Sequence, residues 1–197
     1  MPILRSSPLA GGGYPNPVLI RPPGSLEEKE FLERCVKCGE CMKVCITNGL
    51  QPTFLQAGFE GMWSPFLVSR IGYCEYNCTL CGQVCPTDAI EELNLETKKK
   101  RKIGLAFVDK NRCLPYAFGI DCIVCEEHCP TDPKAIQFES RIVKSDGGNR
   151  ELKLPIISPE RCIGCGICEH YCPVGEHAAI VVSSIGEDRS PKNRIIL

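Results

Sequence analysis

At 197 residues the chain has room for one domain or two small ones. Sixteen residues are Cys, and even counting them only 43% of the chain is hydrophobic and 7% aromatic, so the aliphatic core is thin and inorganic centres are expected to hold the fold. A net charge of −1 excludes the basic footprint of a nucleic-acid binder.

Residues 1–24 are rich in Pro and Gly (Pro2, Pro8, Pro15, Pro17, Pro22, Pro23 and Gly11 to Gly13), which rules out a regular helix or a central strand. No apolar run reaches the length of a signal-peptide core or a membrane span, and no Arg-Arg pair stands near the start. Two readings of this stretch stand side by side: a disordered tail, or an extended arm that docks on another subunit through Val18-Leu19-Ile20. Ser25 and Glu28 form a capping box, which predicts a short helix over 26–34 with Leu26, Phe31 and Leu32 inward.

The cysteines fall in four tight groups. Group one, Cys35, Cys38, Cys41 and Cys45, reads C-x2-C-x2-C-x3-C, the bacterial ferredoxin run, with Ile46 where Pro is usual. Residues 46–73 then hold Phe54, Phe59, Trp63, Phe66 and Tyr73, read as a lid over the clusters or as a docking surface for a redox partner. Group two is Cys74, Cys78, Cys81 and Cys85-Pro86. Its C-x3-C-x2-C subset also matches the radical-SAM signature, whose chemistry needs one open iron and a barrel around the substrate.

Residues 89–94 and 103–109 read as strands, with Lys98-Lys99-Lys100-Arg101-Lys102 as the solvated tip between them. Group three is Cys113, Cys122, Cys125 and Cys129-Pro130. Its eight-residue first gap is an inserted loop if Cys113 is a ligand; alternatively Cys113 is a structural thiol. Residues 135–143 and 151–157 again read as strands, joined at Asp146-Gly147-Gly148-Asn149. Group four is Cys162, Cys165, Cys168 and Cys172-Pro173, followed by a closing strand over 178–182. His128 and His170 adjoin these cysteines and are expected to support the site rather than bind iron.

Disulfide scaffolds spread their cysteines over loops, and zinc ribbons use two C-x-x-C pairs roughly 15–20 residues apart. Neither fits four groups of this kind. Sixteen thiolates in fours give four 4Fe–4S clusters, each held by three cysteines of one group and the last cysteine of another. Groups one and four share the regular spacing, so a nested pairing of one with four and two with three is expected, the alternative being a sequential pairing of one with two and three with four. Cys35, Cys38, Cys41 and Cys172 then hold one cluster, and Cys162, Cys165, Cys168 and Cys45 the next. Cys74, Cys78, Cys81 and Cys129 hold a third, and Cys113, Cys122, Cys125 and Cys85 the last. The predicted fold is α+β: two ferredoxin-like dicluster modules (four ferredoxin repeats) with small hairpins and short helices. An arm over 1–24, a four-cluster polyferredoxin over 25–185 and a polar tail over 186–197 complete the domain plan.

The run Arg21-Pro22-Pro23-Gly24-Ser25-Leu26-Glu27-Glu28, with Phe31-Leu32 and Cys35-Val36-Lys37-Cys38-Gly39, resembles the opening of the NapG/MauM-type polyferredoxins. These accompany periplasmic nitrate reductase and methylamine dehydrogenase systems. Gly72-Tyr73-Cys74-Glu75-Tyr76-Asn77-Cys78, Asn111-Arg112-Cys113-Leu114-Pro115 and Cys122 to Pro130 resemble a branch in which the ferredoxin part is fused to a membrane quinol-oxidising part. The resemblance implies an electron-transfer subunit, not an enzyme, that relays electrons between a quinol or dehydrogenase partner and another carrier within a multisubunit complex. It also implies a membrane-associated complex on the periplasmic side; with no export signal read in this chain, a cytoplasmic place is the alternative. The rival functions are an iron–sulfur enzyme acting at Cys74, Cys78 and Cys81, and a subunit whose clusters are only structural.

Overall fold

The computed structural model describes residues 16, 18–145, 148–175 and 177–190. Within it each group of cysteines begins in a tight loop and ends in a single helical turn. In group one Lys37 (φ 58°) and Gly39 (φ 80°) are left-handed; in group four Gly164 (φ 74°) and Gly166 (φ 83°) repeat the pattern. Such alternation turns successive N–H groups toward one centre. Gly164 has a second reason to lack a side chain, since a Cβ there would stand 2.5 Å from the Gly104 backbone. The helical turns are α2 (Glu40–Lys43), α3 (Leu80–Gln83), α5 (Val124–Glu127) and α6 (Ile167–His170), preceded in the chain by a longer α1 (Glu28–Arg34).

Two hairpins return the chain to where it left. β1 (Leu50–Pro52) and β2 (Pro65–Leu67) pair antiparallel, with Gln51 opposite Phe66. The return is so close that a Cβ on Gly72 would lie 2.1 Å from the Thr47 carbonyl oxygen. The Thr47 hydroxyl also donates to the Tyr73 carbonyl. β4 (Ile136–Ser145) and β5 (Gly148–Ile157) do the same between groups three and four, with Ile136 opposite Ile157. Of their expected turn, Asp146 and Gly147 lie outside the described residues. A third pair, β3 (Leu105–Val108) with β6 (Ile180–Ser183), ties the middle of the chain to its end.

The strand expected over 89–94 is absent apart from one bridge between Ser25 and Ile90. The lysine run that follows is no hairpin tip. Asn94 caps a helix, α4 (Leu95–Lys100), by accepting from the Thr97 N–H at 2.8 Å, and Lys98 is buried.

The capping box is also overturned. Helix α1 starts one residue beyond Glu27 without a side-chain cap, because the Glu28 carboxylate is engaged elsewhere. It binds the fully buried Arg21 through both oxygens, at 3.1 and 2.5 Å. The same guanidinium donates to Ser64 Oγ at 2.8 Å and the Pro65 carbonyl at 2.7 Å, and lies 4.5 Å over the Phe31 ring. Arg189 completes the clamp on Glu28 at 2.7 Å. Leu19 and Ile20 are buried, and the Leu67 N–H donates to the Ile20 carbonyl at 2.7 Å. Residues 19–24 are thus part of this chain's own core, whereas Val18 is exposed, and Arg189 draws the start of the expected polar tail into the fold. Residues 1–15, 17 and 191–197 lie outside the described residues.

Burial alone would raise the Glu28 carboxyl, but Arg21 and Arg189 outweigh it and hold the group below the usual carboxylate range. A depressed folded value contributes stability that is present at neutral pH and lost as pH falls through that value. Arg21→Met should therefore destabilise the protein and flatten this acid dependence. The loss should sit at the lower end of the roughly 3–5 kcal/mol seen when one partner of a buried pair is removed, because Glu28 keeps Arg189. Urea midpoints followed by visible absorbance at two pH values check both effects.

Candidate iron–sulfur centres

The hairpins determine which cysteines meet. Cys45 leaves group one just before β1, and Cys74 enters group two just after β2, so the return of the chain sets the two side by side. Cys74 and Cys78 are neighbours, with Cys45 against them, and Cys81 lies against both Cys74 and Cys78. Cys85 completes the other set: it lines one hollow with Cys35, Cys38 and Cys41. The second half repeats this plan. Cys113, Cys122, Cys125 and Cys172 line one hollow, and Cys162, Cys165 and Cys168 lie near Cys129.

The nested pairing is therefore corrected. Cys172 does not join Cys35, Cys38 and Cys41, nor Cys45 join Cys162, Cys165 and Cys168. Cys129 is not with Cys74, Cys78 and Cys81, nor Cys85 with Cys113, Cys122 and Cys125. Each regular group meets the variant group next to it in the chain, because a short hairpin closes the loop locally at little entropic cost. Cys113 reaches its set by way of a π-helical turn, Leu114–Phe118, whose Tyr116 hydroxyl donates to the Pro155 carbonyl at 3.1 Å.

The four sets follow one another in a row. Cys41 of the first lies near Cys81 of the second, Cys74 near Cys165 of the third, and Cys168 near Cys125 of the fourth. Between the middle sets the Cys74 N–H donates to the Cys165 carbonyl at 2.8 Å. Arg70 adds a second tie, donating to the carbonyls of Glu169 at 2.9 Å and Gly175 at 2.7 Å.

These donors suit a 4Fe–4S cubane. Every set is sulfur only, and the end sets surround a hollow rather than a point. Among the described residues no three His, Cys, Asp or Glu side chains converge closely enough for a single ion. Backbone N–H groups face the sulfurs: Ile90 donates to Cys85 Sγ at 3.4 Å and Ala179 to Cys172 Sγ at 3.3 Å. Lys37, Gly164 and Ile167 likewise offer N–H groups to Cys35, Cys162 and Cys165. Burial and neighbouring thiolates push Cys41, Cys81, Cys125 and Cys165 up to about 12, so bare thiolates are unfavourable there and bound iron would relieve them.

Sequence reasoning missed several contributors. The hydroxyls of Thr47 and Thr131 lie 3.6 and 3.4 Å from Cys45 and Cys129 Sγ, and Thr87 lies 3.9 Å from Cys85 Sγ. The repeated Cys-x-Thr spacing was the available signal; in group four Val174 takes that place. His128 stacks on Tyr171 at 4.1 Å, and His170 packs 5.2 Å from Tyr73, so both join an aromatic cluster beside the thiols. Phe54, Phe59 and Trp63 do not form a lid. They point to solvent, Phe59 being 81% exposed, while Phe66 is buried.

A family model described as a 4Fe-4S dicluster domain matches residues 120–176, which hold seven of the eight cysteines of groups three and four. The methylamine utilization ferredoxin-type protein MauM of Methylorubrum extorquens is 34% identical over 185 residues, covering 90% of this chain and 80% of that protein. Ferredoxin-type protein NapG of Escherichia coli K12 is 35% identical over 167 residues, covering 84% and 70%. Ferredoxin-type protein NapF of the same organism is 30% identical over 155 residues, covering 79% and 80%.

The pairing can be tested by ligand removal. Cys85→Ala should alter the electron paramagnetic resonance of one centre, the same one altered by Cys38→Ala. Cys172→Ala should alter a different centre, the one altered by Cys122→Ala. If Cys172→Ala and Cys38→Ala instead changed the same centre, the nested arrangement would be restored.

Proposed function

Since this chain belongs to the NapG/MauM family of ferredoxin-type iron–sulfur electron-transfer proteins, we propose that it carries four 4Fe–4S clusters and works as a relay between two protein partners. The ligand sets would be Cys35, Cys38, Cys41 and Cys85; Cys74, Cys78, Cys81 and Cys45; Cys162, Cys165, Cys168 and Cys129; and Cys113, Cys122, Cys125 and Cys172. Bound clusters supply one-electron transfer; the chain positions them, shields them and offers N–H groups to their ligands.

The observation that carries the relay is the adjacency of the four sets, each near the next, with a cysteine of the first open to solvent. Cys162, Cys165 and Cys168 of the third set are buried, the cysteines of the second and fourth sets are half-buried, and Cys38 in the first set is exposed. Apolar side chains stand open at both ends: Val36 beside the first set, Phe118 and Ile120 on the loop that carries Cys113. Such residues are what transient partners contact. Electrons would enter at one end of the row and leave at the other. A radical-SAM role is disfavoured, because Cys45 beside Cys74, Cys78 and Cys81 leaves no open iron.

One partner is a quinol-oxidising or dehydrogenase subunit, in a membrane-associated complex with the ferredoxin part on the periplasmic side. Among the described residues no helix is long and apolar enough to cross a membrane, so membrane contact falls to that partner in this reading. Cell fractionation with antibody detection tests the location.

Anaerobically purified protein should contain on the order of sixteen iron atoms and as many acid-labile sulfides, four per set of four cysteines. Half that value would defeat the four-cluster reading. In the assembled complex Cys125→Ala should stop electron flow; flow at the normal rate with that cluster demonstrably missing would leave a structural role as the better account.

A further inference from the structure

Lys98 has no part in the relay as described, yet it is the least expected charge in the molecule. It lies in a run of five basic residues and is only 2% exposed. Its helix, α4, aims it inward at the loop between Cys74 and Cys78. There Nζ donates to the carbonyls of Glu75 and Tyr76, the second at 3.0 Å, and lies 5.7 Å from the Tyr76 ring centroid.

The place matters as much as the burial. Cys74 is the residue whose N–H crosses to Cys165, so Lys98 stands where the second thiol set abuts the third. Tyr76, which its ammonium faces, packs on Ile163, Cys165 and Ile167 of that third set. A lysine needed only to anchor a loop could be exposed; one buried against the loop between two ligand cysteines exerts its charge through a medium that screens little.

We propose that Lys98 is a redox-tuning residue: its buried positive charge raises the reduction potential of the cluster held by Cys74, Cys78, Cys81 and Cys45, making that inner cluster a resting place for the electron. The inference rests on the four-cluster reading. The step concerned is uptake of one electron by that cluster from a mediator dye. The added negative charge falls beside the ammonium, and no bond or proton is exchanged. Potentials of such clusters respond to net charge and to hydrogen bonds on sulfur.

The test is a mediator titration of holoprotein at one fixed pH, followed by electron paramagnetic resonance, for wild type, K98R, K98M and K98Q. The Cys74→Ser variant identifies which signal belongs to this cluster. In K98M and K98Q that signal should titrate at lower potential, by at least a tenfold change in the reduction equilibrium, about 59 mV for a one-electron couple. The signal of the Cys122 cluster at the far end should stay unchanged, and K98R should remain near wild type. Unchanged potential in neutral variants with full iron content would overturn the proposal. So would loss of iron from both K98M and K98Q, which would assign Lys98 to holding the loop. A wild type with fewer than four titrating centres would instead strike at the four-cluster reading, a result separate from any shift in the Cys74 signal.

Discussion

The structure depends on sulfur atoms that a protein interior does not readily hold as anions. Several thiols sit where burial and like-charged neighbours drive their ionisation far out of reach of neutral pH. A cation at the centre of each set would reverse that balance, and the N–H groups of the left-handed loops would reinforce it. Folding and cluster binding would in this sense be one equilibrium. The small Ala-Ile steps behind the sets show it: Ala89 and Ile90, Ala135 and Ile136, Ala179 and Ile180 are all nearly inaccessible. They form the thin apolar backing against which each metal site is pressed.

Beside that core stands one ionic knot of another kind. Arg21, Glu28 and Arg189 join the beginning of the described chain to its end, with Ser64 and Pro65 of the first hairpin held in the same grip. Without it, the loop of group one would be backed only by Phe31 and a few aliphatic residues. The knot gives a physical reason for the Arg-Pro-Pro-Gly opening. The two prolines stiffen the turn after Arg21, and Gly24 adopts φ 89° where a Cβ would collide with the Glu91 carbonyl oxygen.

Much of this was legible from residue order. Cysteine spacing marked the four groups but not which of them meet, and the strand pair flanking Asp146–Asn149 matched β4 and β5. The pairing of groups was misread because likeness of spacing was weighed above proximity in the chain. The strands read between groups three and four already implied a hairpin that would bring those groups together. Lys98 was misread for a different reason: five successive basic residues look solvated, and only the helical turn set by Asn94 selects one of them to face inward. Glu28 looked like a cap because the Arg that claims it lies upstream of the pattern being matched. In each case a tertiary partner overrode a valid local rule.

Neighbour pairing also bears on how such a molecule is built. All eight cysteines of the first two sets occur within residues 35–85, so no ligand to those sites has to wait for the second half of the chain to be synthesised. A nested order would have left Cys35, Cys38 and Cys41 one ligand short until Cys172 emerged. Local closure therefore permits metal loading to proceed vectorially, half by half, and limits the time for which reactive thiols of one half can mispair with those of the other.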